Sequence, residues 1–138
     1  DNVLAYLPTA RPPLAGRHPW HCLVECVETG RTGSQDMEAD VLACLGDATT
    51  LGLATDAMLA QGEAQADALW ALRENIASAE KARGRAVQHD ISVAPELMPD
   101  AVEALSEGVA TNFPGHDVAA FGHLGDGNIH FHVKAPSD

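Results

Sequence analysis

Residues 121–132 read FGHLGDGNIHFH, a histidine-rich apolar stretch that three glycines interrupt. Within it, the pair at 126–127 is Asp-Gly, a favoured two-residue hairpin turn because both positions tolerate a positive φ. Counting outward from this turn, His123 faces His130, and directly opposed residues of a hairpin project from the same side of the sheet. The stretch therefore predicts an antiparallel hairpin that carries histidines on one face.

The histidines of this hairpin are candidate metal ligands. Two imidazoles held side by side can share one divalent ion, at about 2.0–2.1 Å from each nitrogen. His132 lies two residues beyond His130 and points to the same face. The spacing alone leaves a second interpretation open, in which these are ordinary exposed polar residues beside a glycine-rich turn. Two ligands by themselves do not close a zinc site.

The remaining sequence predicts an α+β fold, because apolar residues alternate in some segments and recur at helical spacing in others. Strands are predicted at Trp20–Glu28, Leu51–Leu59, Ala86–Val93, Val118–His123 and Asn128–Val133. Helices are predicted from a cap at Ser34 to Gly46 after a loop at residues 29–33, from Glu63 to about Lys81, and from Met98 onward. This order fits helices on one face of a mainly antiparallel sheet. The proline-rich residues 1–19 predict an extended leading segment, and residues 20–138 predict one domain.

Composition excludes several classes of partner. The 138 residues hold 20 Asp and Glu against 8 Lys and Arg, a net charge of −12. Such a surface repels phosphate backbones and anionic lipids, so nucleic acid and membranes are poor partners. No apolar run approaches the roughly 20 residues of a membrane span, and no signal-peptide pattern opens the chain.

The three cysteines indicate a reducing compartment. Their number is odd and no CxxC motif occurs. In a strand, Cys22 and Cys26 would lie about 13 Å apart, at ~3.3 Å per residue, which is beyond the reach of a disulfide. We therefore expect Cys22, Cys26 and Cys44 to be buried free thiols of a cytoplasmic protein.

Two further segments carry candidate binding residues. Arg73 follows Trp70 on the long predicted helix, next to its apolar stripe, where an arginine can clamp a carboxylate in a bidentate manner. The alternative is a solvated arginine paired with surface acids. In the predicted strand at 86–93, Gln88, Asp90 and Ser92 share one face, and this face either lines a polar pocket or contacts water.

Three segments together resemble a known family. They read WALRE from Trp70, HDISV from His89 and GHLGDGNIHF from Gly122. This set is similar to the cap (substrate) domain of FAD-linked 2-hydroxyacid dehydrogenases, which are flavoproteins of the vanillyl-alcohol-oxidase type. The group includes D-2-hydroxyglutarate dehydrogenase, D-lactate dehydrogenase and the glycolate oxidase D subunit. The match runs in order from about residue 11 to residue 134.

The resemblance implies a ferredoxin-like cap that covers the reactive face of a flavin, while an N-terminal domain outside this chain holds most of the FAD. It implies that His123 and His130 bind a divalent metal, usually zinc, and that Arg73 pairs with the substrate carboxylate. The implied reaction is the oxidation of a small 2-hydroxy acid such as D-lactate, glycolate or a 2-hydroxyglutarate-like acid, with hydride transfer to the flavin. In the family, a third metal ligand (Glu) and the catalytic His come from a downstream Glu-His-Gly segment. We therefore expect no catalytic residue in this chain, and no turnover by the chain alone.

Three positions depart from the family pattern. Gln88 stands where the family commonly has a lysine that contacts the substrate carboxylate, and Ala77 stands where hydroxyglutarate-specific members have a threonine. Both changes remove polar contacts to a distal carboxylate, which argues against 2-hydroxyglutarate itself. His132 stands at a usual asparagine and offers an extra nitrogen ligand or a different hydrogen-bond donor. Gln88 and His132 join Arg73 as the predicted substrate-binding residues.

Two other hypotheses come from outside this interpretation. One is a free-standing ferredoxin-like module that binds a metal or a small ligand without catalysis, and the other is a degenerate paralogue that has lost its site. The chain lacks an initiating Met and stops directly after an apolar stretch. We therefore expect a piece of a longer flavoprotein, whose partners are its own FAD-binding domain, a small 2-hydroxy acid and an electron acceptor.

Overall fold

A computed structural model of the protein describes residues 2–27 and 36–136. The chain divides into two compact units, one ending at Ile76 and the other beginning at Ala77. The predicted boundary after residue 19 remains a prediction. The mixture of helices with an antiparallel sheet confirms the α+β class, whereas the ferredoxin-like arrangement remains a prediction. None of the described helices is both long and apolar enough to cross a bilayer.

The first unit contains helices α1 (Asn2–Tyr6), α2 (Met37–Thr50) and α3 (Glu63–Glu74). The cap of α2 is Asp36, whose side chain accepts a hydrogen bond from the Ala39 N–H at 3.0 Å. The predicted cap Ser34 is therefore wrong, and Ser34 itself lies outside the described residues. The predicted stop at Gly46 is also wrong. A glycine inside a helix costs only about 1 kcal/mol relative to alanine, and the left-handed residue that commonly follows a helix end is Gly52, at φ +72°.

Two predicted strands of the first unit are absent. Residues 20–27 are irregular and residues 51–59 form turns and irregular backbone, while Glu28 and the predicted loop 29–33 lie outside the described residues. Alternation of apolar side chains makes a strand possible, but the strand forms only where its backbone groups find a ladder partner. The structure also differs from the predicted extended segment 1–19, because this segment begins with the short helix α1.

The predicted helix from Glu63 to Lys81 is broken into α3 and α4 (Ile76–Ala82). The break lies at Asn75, whose side-chain Nδ2 donates to the Ala71 carbonyl at 2.8 Å. Asparagine side chains compete in this way with the regular helical hydrogen bonds. The cysteine prediction is half right, since Cys22, Cys26 and Cys44 are all free but are exposed rather than buried.

The second unit contains a three-stranded antiparallel sheet in the order β1-β3-β2. Its elements are β1 (Val87–Ser92), α5 (Met98–Asn112), β2 (Asp117–His123) and β3 (Asn128–Lys134). These three strands and the start of α5 at Met98 confirm the predictions to within about one residue. Pro99 lies in the first turn of α5, where a missing N–H costs nothing. Helix α5 contacts β2 and β3.

Period-two alternation gives this sheet two different faces. On one face Ile129 and Phe131 of the central strand β3 are buried, with 1% and 3% of their surface exposed. We call the opposite side the polar face. It is made by Gln88, Asp90 and Ser92 of β1, by Phe121 and His123 of β2, and by Asn128, His130 and His132 of β3.

An ion-pair cluster ties the end of α4 to the start of β2. Nη2 of Arg83 lies 2.5 Å from Oδ2 of Asp117, and Nη1 lies 3.4 Å from Oε2 of the buried Glu80. The hydrogen bond that Arg83 donates to the Asp117 carboxylate, with smaller contributions from the charges of Asp117 and Glu80, raises the pKa of the Arg83 guanidinium. Arg83 therefore stays charged, and its guanidinium pairs with the buried Glu80 carboxylate.

Candidate functional site

The connection between β2 and β3 differs from the predicted two-residue turn. It contains a 3-10 helix, Leu124–Asp126, and ends at Gly127 with φ +64°. A type I′ turn at 126–127 needs positive φ at both residues, and no described residue other than glycine has a positive φ. Asp126 is instead the last residue of the 3-10 helix, and the loop contains four residues, 124–127.

The longer loop shifts the predicted pairing of the histidines. His123 lies opposite Asn128, and His130 lies opposite Phe121, so the predicted direct opposition of His123 and His130 is wrong. The slip amounts to two residues, and only an odd slip would exchange the faces. His123, His130 and His132 therefore still share the polar face, as predicted, and the ring centroids of His123 and His130 are 6.3 Å apart.

Strand β1 contributes to the same face. Gln88 pairs with His132, and Asp90 pairs with His130. Oδ1 of Asp90 lies 2.5 Å from Nδ1 of His130. The polar residues of β1 are exposed and stand beside the histidines, which agrees with the solvent-contact interpretation of this segment, while the pocket-lining interpretation remains a prediction.

His132 is the polar-face histidine that is withdrawn from solvent, with 7% of its surface exposed. The Phe121 ring stands at 82° to it, with centroids 5.1 Å apart, an edge-to-face contact typical of aromatic pairs. Its Nδ1 is buried and finds no hydrogen-bond partner within the described part of the chain. An unsatisfied buried nitrogen costs about 1–3 kcal/mol, so this atom marks a position where a ligand oxygen or N–H would be stabilising.

Two glycines allow close backbone approach at the loop end of the sheet. A side chain at Gly122 would overlap the backbone carbonyl of Asn128, and one at Gly127 would overlap the carbonyl of Val93. The Val93 N–H donates to the Gly127 carbonyl at 3.0 Å, which closes the loop against the end of β1. The glycines of the motif thus serve close backbone approach as well as the turn.

Arg73 lies in the last turn of α3, in the first unit, and is half-buried. Neighbouring residues Asp67, Trp70, Ala71 and Glu74 line an open hollow on that helix. The structure thus brings together Gln88, His123, His130 and His132 of the predicted site residues on one face of the second unit. The role of Arg73 remains a prediction.

The candidate metal donors of the polar face are two imidazoles. Across residues 2–27 and 36–136, no group of three or more His, Cys, Asp or Glu side chains is arranged to hold a metal ion. His123 and His130 supply two imidazoles on one surface, and a tetrahedral site needs further ligands. A metal bound by this pair would need its remaining ligands from other residues.

Sequence reasoning missed the contact between Asp90 and His130. The period-two parity of β1 places Asp90 on the right face, yet the two residues are 40 positions apart. Their pairing depends on the register of β1 against β3, which no local pattern specifies. The ring contact of Phe121 with His130 was missed for a different reason, because the predicted two-residue turn placed His123 opposite His130.

Residues 3–138 match the family model described as FAD linked oxidases, C-terminal domain. The chain belongs to this family. It is 34% identical over 136 residues to the D-2-hydroxyglutarate dehydrogenase of Xanthomonas citri pv. viticola, covering 99% of this chain and 27% of the relative. The mitochondrial D-2-hydroxyglutarate dehydrogenase of Arabidopsis thaliana is 30% identical over 136 residues, 98% of this chain and 23% of that protein.

A third relative carries a different substrate name. A putative mitochondrial D-lactate dehydrogenase of Schizosaccharomyces pombe is 34% identical over 130 residues, 88% of this chain and 24% of its own length. The chain thus spans about a quarter of the length of these relatives. Membership in the FAD-linked oxidase family confirms the resemblance and favours the flavoenzyme interpretation over the free-standing module.

Proposed function

We propose that the chain is the substrate-binding part of an FAD-dependent oxidoreductase that oxidises a small 2-hydroxy acid. The match to the C-terminal domain of FAD-linked oxidases supports this proposal, as do the dehydrogenase names of the relatives. One structural observation supports the proposal for particular residues. The polar face gathers Gln88, His123, His130 and His132 on one surface, and a buried nitrogen of His132 there lacks a partner among the described residues.

We propose that FAD is held mainly by segments outside these 138 residues. The share of each relative that the chain covers, 23–27%, leaves room for such a domain in proteins of this kind. When bound, FAD supplies the acceptor for the hydride that leaves C2 of the acid. The residues of this chain then bind the acid, orient C2 and exclude water from the reacting atoms.

A divalent cation, with zinc as the first candidate, is proposed at His123 and His130. Such an ion supplies Lewis-acid polarisation of the substrate hydroxyl. The support is the presence of two imidazoles on one face with ring centroids 6.3 Å apart. Imidazole is a common zinc ligand, and a catalytic zinc site typically has three protein ligands. We propose that the third protein ligand is a residue other than His123 and His130.

The substrate contacts are proposed at Arg73, Gln88 and His132. A guanidinium binds a carboxylate through two parallel hydrogen bonds, which assigns the carboxylate of the acid to Arg73. Gln88 is neutral, so its amide hydrogen-bonds without adding a charge for a second carboxylate. We therefore propose a monocarboxylic acid such as D-lactate or glycolate ahead of 2-hydroxyglutarate.

The test is flavin reduction by the full-length, FAD-loaded protein that contains this chain, with D-lactate, glycolate and D-2-hydroxyglutarate offered separately. We expect reduction by at least one short acid, and a loss of about 10²-fold or more in kcat/KM for Arg73→Ala, as expected when a bidentate charge contact is removed. Arg85→Ala is the matched control, because Arg85 is exposed. An oxidised flavin with all three acids would contradict the proposal.

We also propose a cytoplasmic location. Its support is the set of three free and exposed cysteines, because such thiols persist in a reducing compartment. Fractionation of cells, followed by thiol labelling without prior reduction, should find the protein in the cytoplasmic fraction with its thiols reactive. Labelling that requires a reductant would contradict this location.

A further inference from the structure

We infer that Asp90 is a positioning residue for His130: it fixes the tautomer and the orientation of the imidazole, so that Nε2 is the nitrogen presented to a metal. The inference deepens the proposed metal site and rests on that proposal for its functional meaning. The contact between the two side chains stands on the geometry alone.

The contact follows from the register of the sheet. Asp90 of β1 and His130 of β3 are directly paired, and both side chains belong to the polar face. Oδ1 of Asp90 lies 2.5 Å from Nδ1 of His130. A carboxylate only accepts, so Nδ1 must carry the hydrogen and donate it. In a neutral ring the lone pair is then on Nε2, which is the nitrogen left for a metal.

The His130 ring also contacts a residue of the other neighbouring strand, β2. Phe121 of β2 pairs with His130 across the β2–β3 ladder, and their ring centroids are 5.1 Å apart with an interplanar angle of 45°. His130 on the central strand is thus flanked by a carboxylate on one side and an aromatic ring on the other. The hydrogen bond sets which nitrogen is protonated, and the aromatic contact restricts the rotation of the ring.

His132 differs from His130 in the partner of its Nδ1. His132 lies on the same strand and the same face, and it also contacts Phe121. Its Nδ1, however, has no hydrogen-bond partner among the described residues. The polar face therefore fixes the tautomer of His130 through a carboxylate, whereas Nδ1 of His132 is buried without a hydrogen-bond partner among the described residues.

The exposure of the pair argues that it is more than an ion pair for stability. The Asp90 side chain is 76% exposed and the His130 side chain 32%. Exposed ion pairs contribute little to stability because water screens them. A carboxylate that accepts from the far nitrogen of a metal-binding histidine, in contrast, typically changes metal affinity 10- to 100-fold. A stabilising ion pair and a positioning contact therefore predict different results for Asp90→Ala. The first predicts only a small change in stability, and the second predicts a loss of metal affinity.

The first test reads the tautomer without any metal. Long-range 1H–15N correlation spectra of the metal-free chain, at a pH where its imidazoles are neutral, distinguish Nδ1–H from Nε2–H rings. We expect His130 in the Nδ1–H form, and its conversion toward Nε2–H in Asp90→Ala. Ser92→Ala, two residues away on the same strand and face, is the control and should leave the spectrum of His130 unchanged. An Nε2–H ring in the native chain, or an unchanged tautomer in Asp90→Ala, would overturn the inference.

The second test measures zinc affinity by competition with a chromophoric chelator. We expect Asp90→Ala to weaken zinc binding 10- to 100-fold and Asp90→Asn to recover part of the loss, because its carbonyl can still accept from Nδ1–H. Equal and complete loss in both variants would make Asp90 a direct ligand and overturn its positioning role. If zinc binds neither the native chain nor the variants while the tautomer changes as expected, the contact stands and the proposed metal site fails.

Discussion

Adjacent residues of strand β3 lie on opposite faces of the sheet and differ in burial and in contacts. Phe131 of β3 is 3% exposed and belongs to the hydrophobic core, whereas its neighbour His130 faces the other way and binds Asp90. Both side chains are fixed by the same backbone ladder. The comparison teaches that a strand with period-two alternation can supply stability from one face and chemistry from the other.

The largest expected effect is on the apolar face. Phe131→Ala removes a buried ring and should lower the free energy of unfolding by about 3–5 kcal/mol. Urea denaturation followed by circular dichroism measures this change. His130→Ala, one residue earlier, is the matched variant and should cost about 1 kcal/mol or less, since it lies on the partly exposed face. Equal losses of unfolding free energy in the two variants would contradict the assignment of Phe131 to the core and of His130 to the polar face.

The next effect concerns the loop that ends the polar face. Gly127→Ala forces a side chain into a left-handed conformation and against the Val93 carbonyl, so we expect a loss of about 2 kcal/mol or more. Thermal unfolding measures it. Gly125→Ala in the same loop is the control, because a side chain there meets open space. A Gly127→Ala protein as stable as the Gly125→Ala protein would contradict the described loop.

A smaller effect is expected at the Arg83–Asp117 pair, which lies away from the histidines. A double-mutant cycle with Arg83→Ala and Asp117→Ala should give a coupling free energy of about 0.2–1 kcal/mol. Asp117 raises the pKa of Arg83, so the stabilisation is present below the unfolded-state pKa and is lost only as the pH rises through the still higher folded-state pKa. The coupling measured at pH 7 and at pH 9 should therefore agree. A coupling that disappears by pH 9 would contradict the assignment.

The sequence predicts the second unit better than the first for a physical reason. Strands β2 and β3 pair across a four-residue loop and β1 pairs with β3 across α5 and β2, and the alternation of all three strands matches the observed faces. The segments at 20–27 and 51–59 have similar apolar patterns but no ladder in the described structure. Alternation specifies which side chains share a face, and a backbone partner decides whether a strand forms at all.

The candidate site was predictable in part for the same reason. Parity alone placed His123, His130 and His132 on one face, and that result survived a wrong turn type because the register moved by two residues. The Asp90–His130 contact was not predictable, since it depends on pairing between strands that lie 40 residues apart. The four-residue loop, with its 3-10 helix Leu124–Asp126, places Phe121 rather than His123 opposite His130.

The central proposal is that the polar face binds a divalent metal through His123 and His130. The most direct measurement is a zinc titration of the chelator-treated chain, followed through the NMR signals of its histidine rings up to millimolar zinc. The account predicts that the signals of His123 and His130 shift together and that the His123→Ala, His130→Ala double variant loses the response. Shifts confined to other histidines, such as His18 and His21, or no shift at all, would contradict it.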